Sequence, residues 1–189
     1  MDYENGIWVF GYGSLLWNPG FEYSEHQLAT LHGFRRAFCL WSIHYRGTMA
    51  APGLVLGLDP ALDERCEGVA FFVPAGAAAA VHAYLQEREL VSYAYHERLE
   101  PLTLADGRAV LALCYVVDPE HSQYAGGLDL HSQADVITRA AGSAGPNSAY
   151  LENTVRHLAE LGIADESMAK LHELVRLRAQ HGVAPPYEP

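Results

Sequence analysis

The stretch Trp8-Val9-Phe10-Gly11-Tyr12-Gly13-Ser14-Leu15-Leu16-Trp17 decides how this chain is read. An apolar strand runs directly into a loop holding two glycines and a serine between aromatic residues. Glycine lets a backbone approach a ligand closely and adopt dihedrals that a Cβ forbids. Successive N–H groups in such a turn form a concavity suited to an anion. A glycine loop delivered by a buried strand therefore predicts a place for a small anionic substrate.

Outward from that loop, the first two-thirds of the chain is mostly β. Strands are expected over residues 7–10, 33–41, 53–58, 67–73, 98–104 and 109–117, with Ala105-Asp106-Gly107 as a short hairpin signal. One helix interrupts them: Pro74 opens it and an alanine-rich run carries it from Ala75 to Glu89. The last third is helical. Ser132 with Asp135 suggests a capping box. Tyr150, Leu151, Thr154, Val155, Leu158 and Leu161 then share one face, and Met168, Leu171, Leu174 and Val175 repeat the pattern. The end of the chain, residues 184–189, is expected to be extended and mobile. Strands first and helices later give an α+β class rather than an alternating parallel sheet. No repeat or linker divides the chain, so residues 1–189 are expected to form a single domain.

Composition narrows the function classes. The 189 residues carry 12 basic and 23 acidic side chains, a net charge of −11. Such a balance argues against binding a phosphate backbone, which relies on clustered Lys and Arg. No apolar run reaches membrane-spanning length, and no basic-then-apolar signal precedes the first strand. Cys39, Cys66 and Cys114 are scattered in apolar, strand-like segments, which predicts buried reduced thiols and a cytoplasmic setting.

Few residues carry chemistry. Val81, Tyr84 and Leu85 form an apolar helical stripe; Glu89 falls four residues beyond Leu85 at its edge, while Glu87 points to water. Burial at that edge would raise the carboxyl pKa and make a better base. Periodicity alone leaves a solvated helix-end glutamate paired with an arginine as the plainer reading. Arg88 falls near the middle of the apolar face, where a structural ion pair fits at least as well as an anion contact. Asp63, Glu64 and Glu67 look like turn charges, and Glu97 and Glu100 alternate with apolar residues so as to face solvent. Leu16 stands where a dinucleotide fingerprint or a nucleophile elbow needs glycine, so Ser14 is expected to donate a hydrogen bond rather than attack. The ten histidines show no metal-site spacing.

The glycine-loop signature resembles the N-terminal signature of the ChaC family, the glutathione-specific γ-glutamylcyclotransferases. The likeness continues through Arg36, Trp41-Ser42, Tyr45-Arg46-Gly47-Thr48, Pro52-Gly53-Leu54, Gly68-Val69-Ala70-Phe71, Arg88-Glu89, Ala140-Ala141-Gly142 and Asn147 with Tyr150-Leu151. It implies a small mixed β-barrel flanked by helices. It also implies cleavage of glutathione to 5-oxoproline and cysteinylglycine, a reaction that suits a sequence with no nucleophile, metal or cofactor motif, so no cofactor and no metal are expected. By the same resemblance Tyr12, Gly13, Ser14 and Leu15 hold the γ-glutamyl group, Glu89 is the catalytic acid/base, and Tyr150 contacts substrate. Relatives commonly carry two glycines shortly after the Arg-Glu pair; here Val91 and Ser92 stand there, followed by Tyr93. That departure keeps cyclisation of another γ-glutamyl amine or dipeptide in play. A non-catalytic binding module on the same fold is the rival from another class, and retention of Glu89 weighs against it. The expected partner is a small molecule, without nucleic acid or membrane; the sequence assigns no oligomeric state.

Overall fold

Alternation at period two gives the first strand two working faces. In the computed structural model, which describes residues 3–90 and 94–181, β1 (Ile7–Gly11) turns Ile7 and Val9 to one apolar cluster and Phe10 to another. β1 pairs antiparallel with β3 (Gly53–Val73) from Ile7↔Val73 to Gly11↔Val69. It pairs parallel with β5 (Ala109–Val117) at Trp8↔Ala112. β4 (Tyr95–Leu104) lies antiparallel to β5 and also to β2 (Glu25–Ser42). The order β1-β3-β2-β4-β5 closes into a barrel with parallel and antiparallel pairings. With its helices the chain is α+β, as the residue pattern implied.

The chain divides into two units, Met1–Ala37 with Leu56–Tyr124 and Phe38–Val55 with Ala125–Pro189. In the first, Phe10, Leu31, Leu58, Leu102 and Cys114, one from each strand, belong to one buried cluster. The opposite faces of β1, β3 and β5 present Ile7, Val9, Val73, Leu113 and Tyr115 to α1 (Ala75–Glu89). Ala78, Val81 and Leu85 of α1 close that layer. Burying a leucine such as Leu85, fully covered here, contributes roughly 2 kcal/mol. The side chains of Cys39, Cys66 and Cys114 are buried. Burial pushes the Cys114 thiol far above its usual range, and the charge of Glu100 pushes the same way.

Several expected elements differ in extent. The two strands expected over 53–58 and 67–73 are one continuous β3, so Asp63 and Glu64 sit on its exposed middle rather than in a turn. β2 begins at Glu25, eight residues early: polar His26 and Thr30 occupy one face of a half-buried strand, which masks it in sequence. Glu97 and Glu100 do not face open solvent; their side chains are 23% and 15% exposed. Glu97 pairs with Tyr115 across the ladder and is covered from α1, and Glu100 is bound by Arg98 Nε at 2.8 Å. The two lie on opposite faces of β4: a helix laid over the barrel covers Glu97 on the outer face, whereas Glu100 shares the inward parity of Leu102 and Leu104.

The second unit contains α2 (Leu130–Arg139), α3 (Asn147–Glu160), α4 (Glu166–His181) and the short pair β6 (Ala141–Gly142) and β7 (Gly145–Pro146). Tyr150, Leu151, Thr154 and Leu158 are buried along α3, and Met168, Leu171 and Val175 along α4. The cap of α2 is Asp129, whose carboxylate accepts the Ser132 N–H at 2.7 Å. Ser132 is therefore capped rather than capping, and Asp135 accepts instead from Arg178 Nε at 2.5 Å. Asn147 is fully buried; its Oδ1 accepts the Leu54 N–H and its Nδ2 donates to the Leu54 carbonyl, both at 2.7 Å. Asn147→Ala strands both backbone groups. It is expected to cost about 3 kcal/mol, read as a fall of roughly 6–12 °C in melting temperature. Val91, Ser92, Tyr93 and residues 184–189 lie outside the described residues.

Candidate functional site

At the end of β1 the chain turns into a 3-10 helix over Ser14–Leu16. The turn is closed by Leu16 N–H donating to the Gly13 carbonyl at 2.9 Å and Asn18 N–H donating to the Ser14 carbonyl at 3.0 Å. Gly11 permits this tight return, since a Cβ there would lie 3.0 Å from Phe71 Cε2 and 3.1 Å from Leu15 Cβ. Leu15 is buried in the layer under α1. Tyr12 points into the barrel, where its hydroxyl donates to the Tyr115 carbonyl at 2.9 Å. The Tyr12 carbonyl accepts from Arg36 Nε at 2.6 Å, and the other arm of this buried guanidinium donates to the Glu67 carbonyl. Two of the loop's side chains are thus anchors beneath it. The Ser14 hydroxyl remains on the α1 side.

Arg88 meets that hydroxyl. Its Nη2 donates to Ser14 Oγ at 2.9 Å, and its Nη1 donates to the Asn18 carbonyl at 2.8 Å, the Pro19 carbonyl at 3.2 Å and the Tyr84 hydroxyl at 2.9 Å. Gly20, at φ +75°, lets the chain cross Tyr84; a Cβ would stand 2.8 Å from Tyr84 Cζ. Arg88 Nε is 3.2 Å from Glu89 Oε1. One guanidinium therefore ties the glycine loop to the carboxylate at the end of α1. The ion pair weighed in sequence is present, joined to four further contacts that spacing did not reveal.

Glu89 is mostly covered, its side chain 18% exposed. Burial raises its pKa above the ordinary carboxylate value, and the charge and hydrogen bond of Arg88 reduce that rise without cancelling it. Such a carboxylate is a stronger base than a solvated one, still ionisable because a cation stands beside it. The first unit thus brings Tyr12, Gly13, Ser14, Leu15 and Glu89 into one constellation. Tyr150 lies in the second unit, buried on α3, with the Phe38 ring edge-on at 5.7 Å and the Arg46 guanidinium 5.2 Å over its face. Arg46 is held there by donating to the Ala144 carbonyl at 2.6 Å and the Pro146 carbonyl at 3.3 Å. Among the described residues no group of three metal-binding side chains is assembled. No described helix is long and apolar enough to cross a membrane.

Known proteins share this arrangement of chain. The family model for ChaC-like protein matches residues 7–178. A glutathione-specific gamma-glutamylcyclotransferase of Escherichia coli (strain K12) is 36% identical over 168 residues, spanning 89% of this chain and 72% of that one. One from Schizosaccharomyces pombe is 35% identical over 173 residues, spanning 82% and 85%. The crystal structure of a yeast gamma-glutamyl cyclotransferase specific to glutathione superposes with a TM-score of 0.85 at 26% identity, covering 94% of this chain and 99% of its own. Motif, barrel and length of match agree, and the chain belongs to the ChaC family.

Proposed function

We propose that this protein is a glutathione-specific γ-glutamylcyclotransferase, with Glu89 as general acid/base, the Tyr12–Leu15 loop as the γ-glutamyl cradle and Tyr150 as a further substrate contact. The observation that carries the assignment is the Arg88 bridge between Ser14 and a buried, strengthened Glu89. The curated relatives named for glutathione supply the substrate. On this reading one ChaC-like domain performs the reaction in the cytoplasm, without a cofactor.

The reaction is internal to the substrate. Glu89 takes a proton from the α-ammonium group, and the freed amine attacks the γ-carbonyl carbon. The new N–C bond closes a five-membered lactam as the C–N bond to cysteine breaks. The proton taken first and the second one shed by the ring nitrogen both pass through Glu89 to the departing nitrogen, which leaves as an ammonium group. The products are 5-oxoproline and cysteinylglycine, and no water is consumed. Effective molarities of about 10⁵–10⁸ M for well-oriented intramolecular reactions explain why a cradle and one base suffice. The first N–H groups of a 3-10 turn precede its first internal bond. They are suited to the glutamyl carboxylate or to the oxyanion that forms at the γ-carbon.

Two measurements test this. Incubation with glutathione is expected to release 5-oxoproline and cysteinylglycine in equal amounts, while other γ-glutamyl dipeptides are turned over poorly. Equal rates across the dipeptide panel would remove the specificity. The pH profile tests the base: protonated Glu89 cannot accept a proton, and burial favours the protonated form. kcat/KM is therefore expected to fall on acidification through an apparent pKa above the ordinary glutamate value of about 4.3.

A further inference from the structure

α1 turns a histidine inward seven residues before Glu89, two helical turns away on the same face. His82 is 8% exposed, and a buried imidazole needs partners on both nitrogens. Glu97 Oε2 accepts from Nε2–H at 2.6 Å, and Nδ1 lies 2.6 Å from the Tyr3 hydroxyl. These two contacts fix the Glu97 carboxylate. The same oxygen also accepts from Gln86 Nε2 at 3.2 Å and from the Tyr115 hydroxyl at 3.4 Å. Tyr115 is the direct partner of Glu97 in the β4–β5 ladder and packs in the layer with Leu85, one turn before Glu89.

A phenol has one proton to give. Burial pushes the Tyr115 hydroxyl well above its usual pKa, and the negative charges of Glu97 and then Glu89 push it further. Tyr115 therefore stays protonated, with its hydroxyl 3.4 Å from Glu97 Oε2 and its side chain in the layer that holds Leu85, one turn before Glu89. Its hydrogen bond goes to Glu97, whereas Glu89 is governed by burial and Arg88. We propose that Glu97, fixed by His82, is a positioning residue that claims the Tyr115 proton and so keeps Glu89 free of a phenol donor. The proposal rests on Glu89 being the general base. A hydrogen bond from Tyr115 would stabilise the Glu89 carboxylate and weaken it as a base. Among the described residues, the titratable groups bearing on Glu89 are Arg88 from α1 and Tyr115 from β5. Behind Tyr115 stand Glu97 from β4, His82 from α1 and Tyr3 from the segment before β1.

The test is kcat/KM against pH for the wild type, Glu97→Gln, Tyr115→Phe and the double variant, with Glu89→Gln as control. In Glu97→Gln a neutral amide holds the phenol less firmly, so Tyr115 turns to Glu89 and the acid limb moves down by about one pH unit. Tyr115→Phe leaves the acid limb in place. The double variant returns it to the wild-type position, since no phenol remains to redirect. An unmoved limb in Glu97→Gln overturns the proposal. So does a limb raised by Tyr115→Phe, which would mean that the phenol already donates to Glu89. A shift that persists in the double variant overturns it as well, because through-space charge would then be the cause. If Glu97→Gln fails to fold, Glu97→Asp, which keeps the charge but withdraws the acceptor from Tyr115, takes its place in the same comparison, with the same downward shift expected and an unmoved limb overturning the proposal. Activity surviving in Glu89→Gln would instead remove the general-base reading beneath the proposal, a different failure from an unmoved limb.

Discussion

Glu89→Gln is expected to leave the barrel standing and to lower 5-oxoproline release from glutathione by about a thousandfold, within the range general acid–base catalysis supplies. The amide has nearly the shape of the acid and still offers an oxygen to Arg88 Nε. Arg88 also keeps the Asn18 and Pro19 carbonyls, the Tyr84 hydroxyl and Ser14 Oγ, so its charge is not stranded. What is lost is the capacity to carry a proton from the attacking amine to the leaving nitrogen. A product assay beside a thermal melt separates the two effects. A variant that melts normally and turns over normally would move the base to another residue.

Arg88→Gln is the second large effect, and it acts in two directions. The guanidinium braces the glycine loop from one side, and hydrogen bonds from a charged donor contribute about 1.5–3 kcal/mol each. Partial replacement by an amide is expected to reduce kcat/KM by about a hundredfold. The second effect concerns protons. Arg88 is the cation that opposes the effect of burial on Glu89. Without it the Glu89 pKa rises further, so activity is lost at higher pH on acidification. Arg88→Lys keeps a charge but not the planar fork, since an ammonium cannot span the same acceptors. It is expected to restore the acid limb more than the rate. A pH profile that is the same in all three proteins would show that Arg88 has no influence on the base.

The loop was legible from a local signature, the acid only in part. Glycines beside a strand mark Gly11 and Gly13; helical spacing from Leu85 puts Glu89 at the edge of the apolar stripe but leaves a solvated glutamate as the plainer reading, and the resemblance is what singles it out. The reach of Arg88 was not legible, because its acceptors at Asn18, Pro19 and Ser14 lie about seventy residues away and are mostly backbone. Glu97 was misjudged for a related reason: period-two alternation separates two faces of a strand but says nothing of what covers them. The buried site at His82 held a clue, since a polar residue on a covered helical face demands a partner. β3 read as two strands because its middle, with Asp63 and Glu64, is exposed and charged while its pairing continues. Barrel closure is likewise a long-range property, fixed by pairings such as Trp8↔Ala112.

The sealed sulfurs of Cys66 and Cys114 have a bearing on the metabolite this protein is proposed to consume. Glutathione and its oxidised dimer exchange with proteins through exposed thiolates. Inside the barrel, Cys114 holds its proton far more tightly than a surface cysteine, and Cys66 shares its cluster. Mixed disulfides with the tripeptide therefore have no ready foothold at these positions. On the proposed function, a catalyst that consumes glutathione is in this way spared thiol exchange with its own substrate at these two sulfurs.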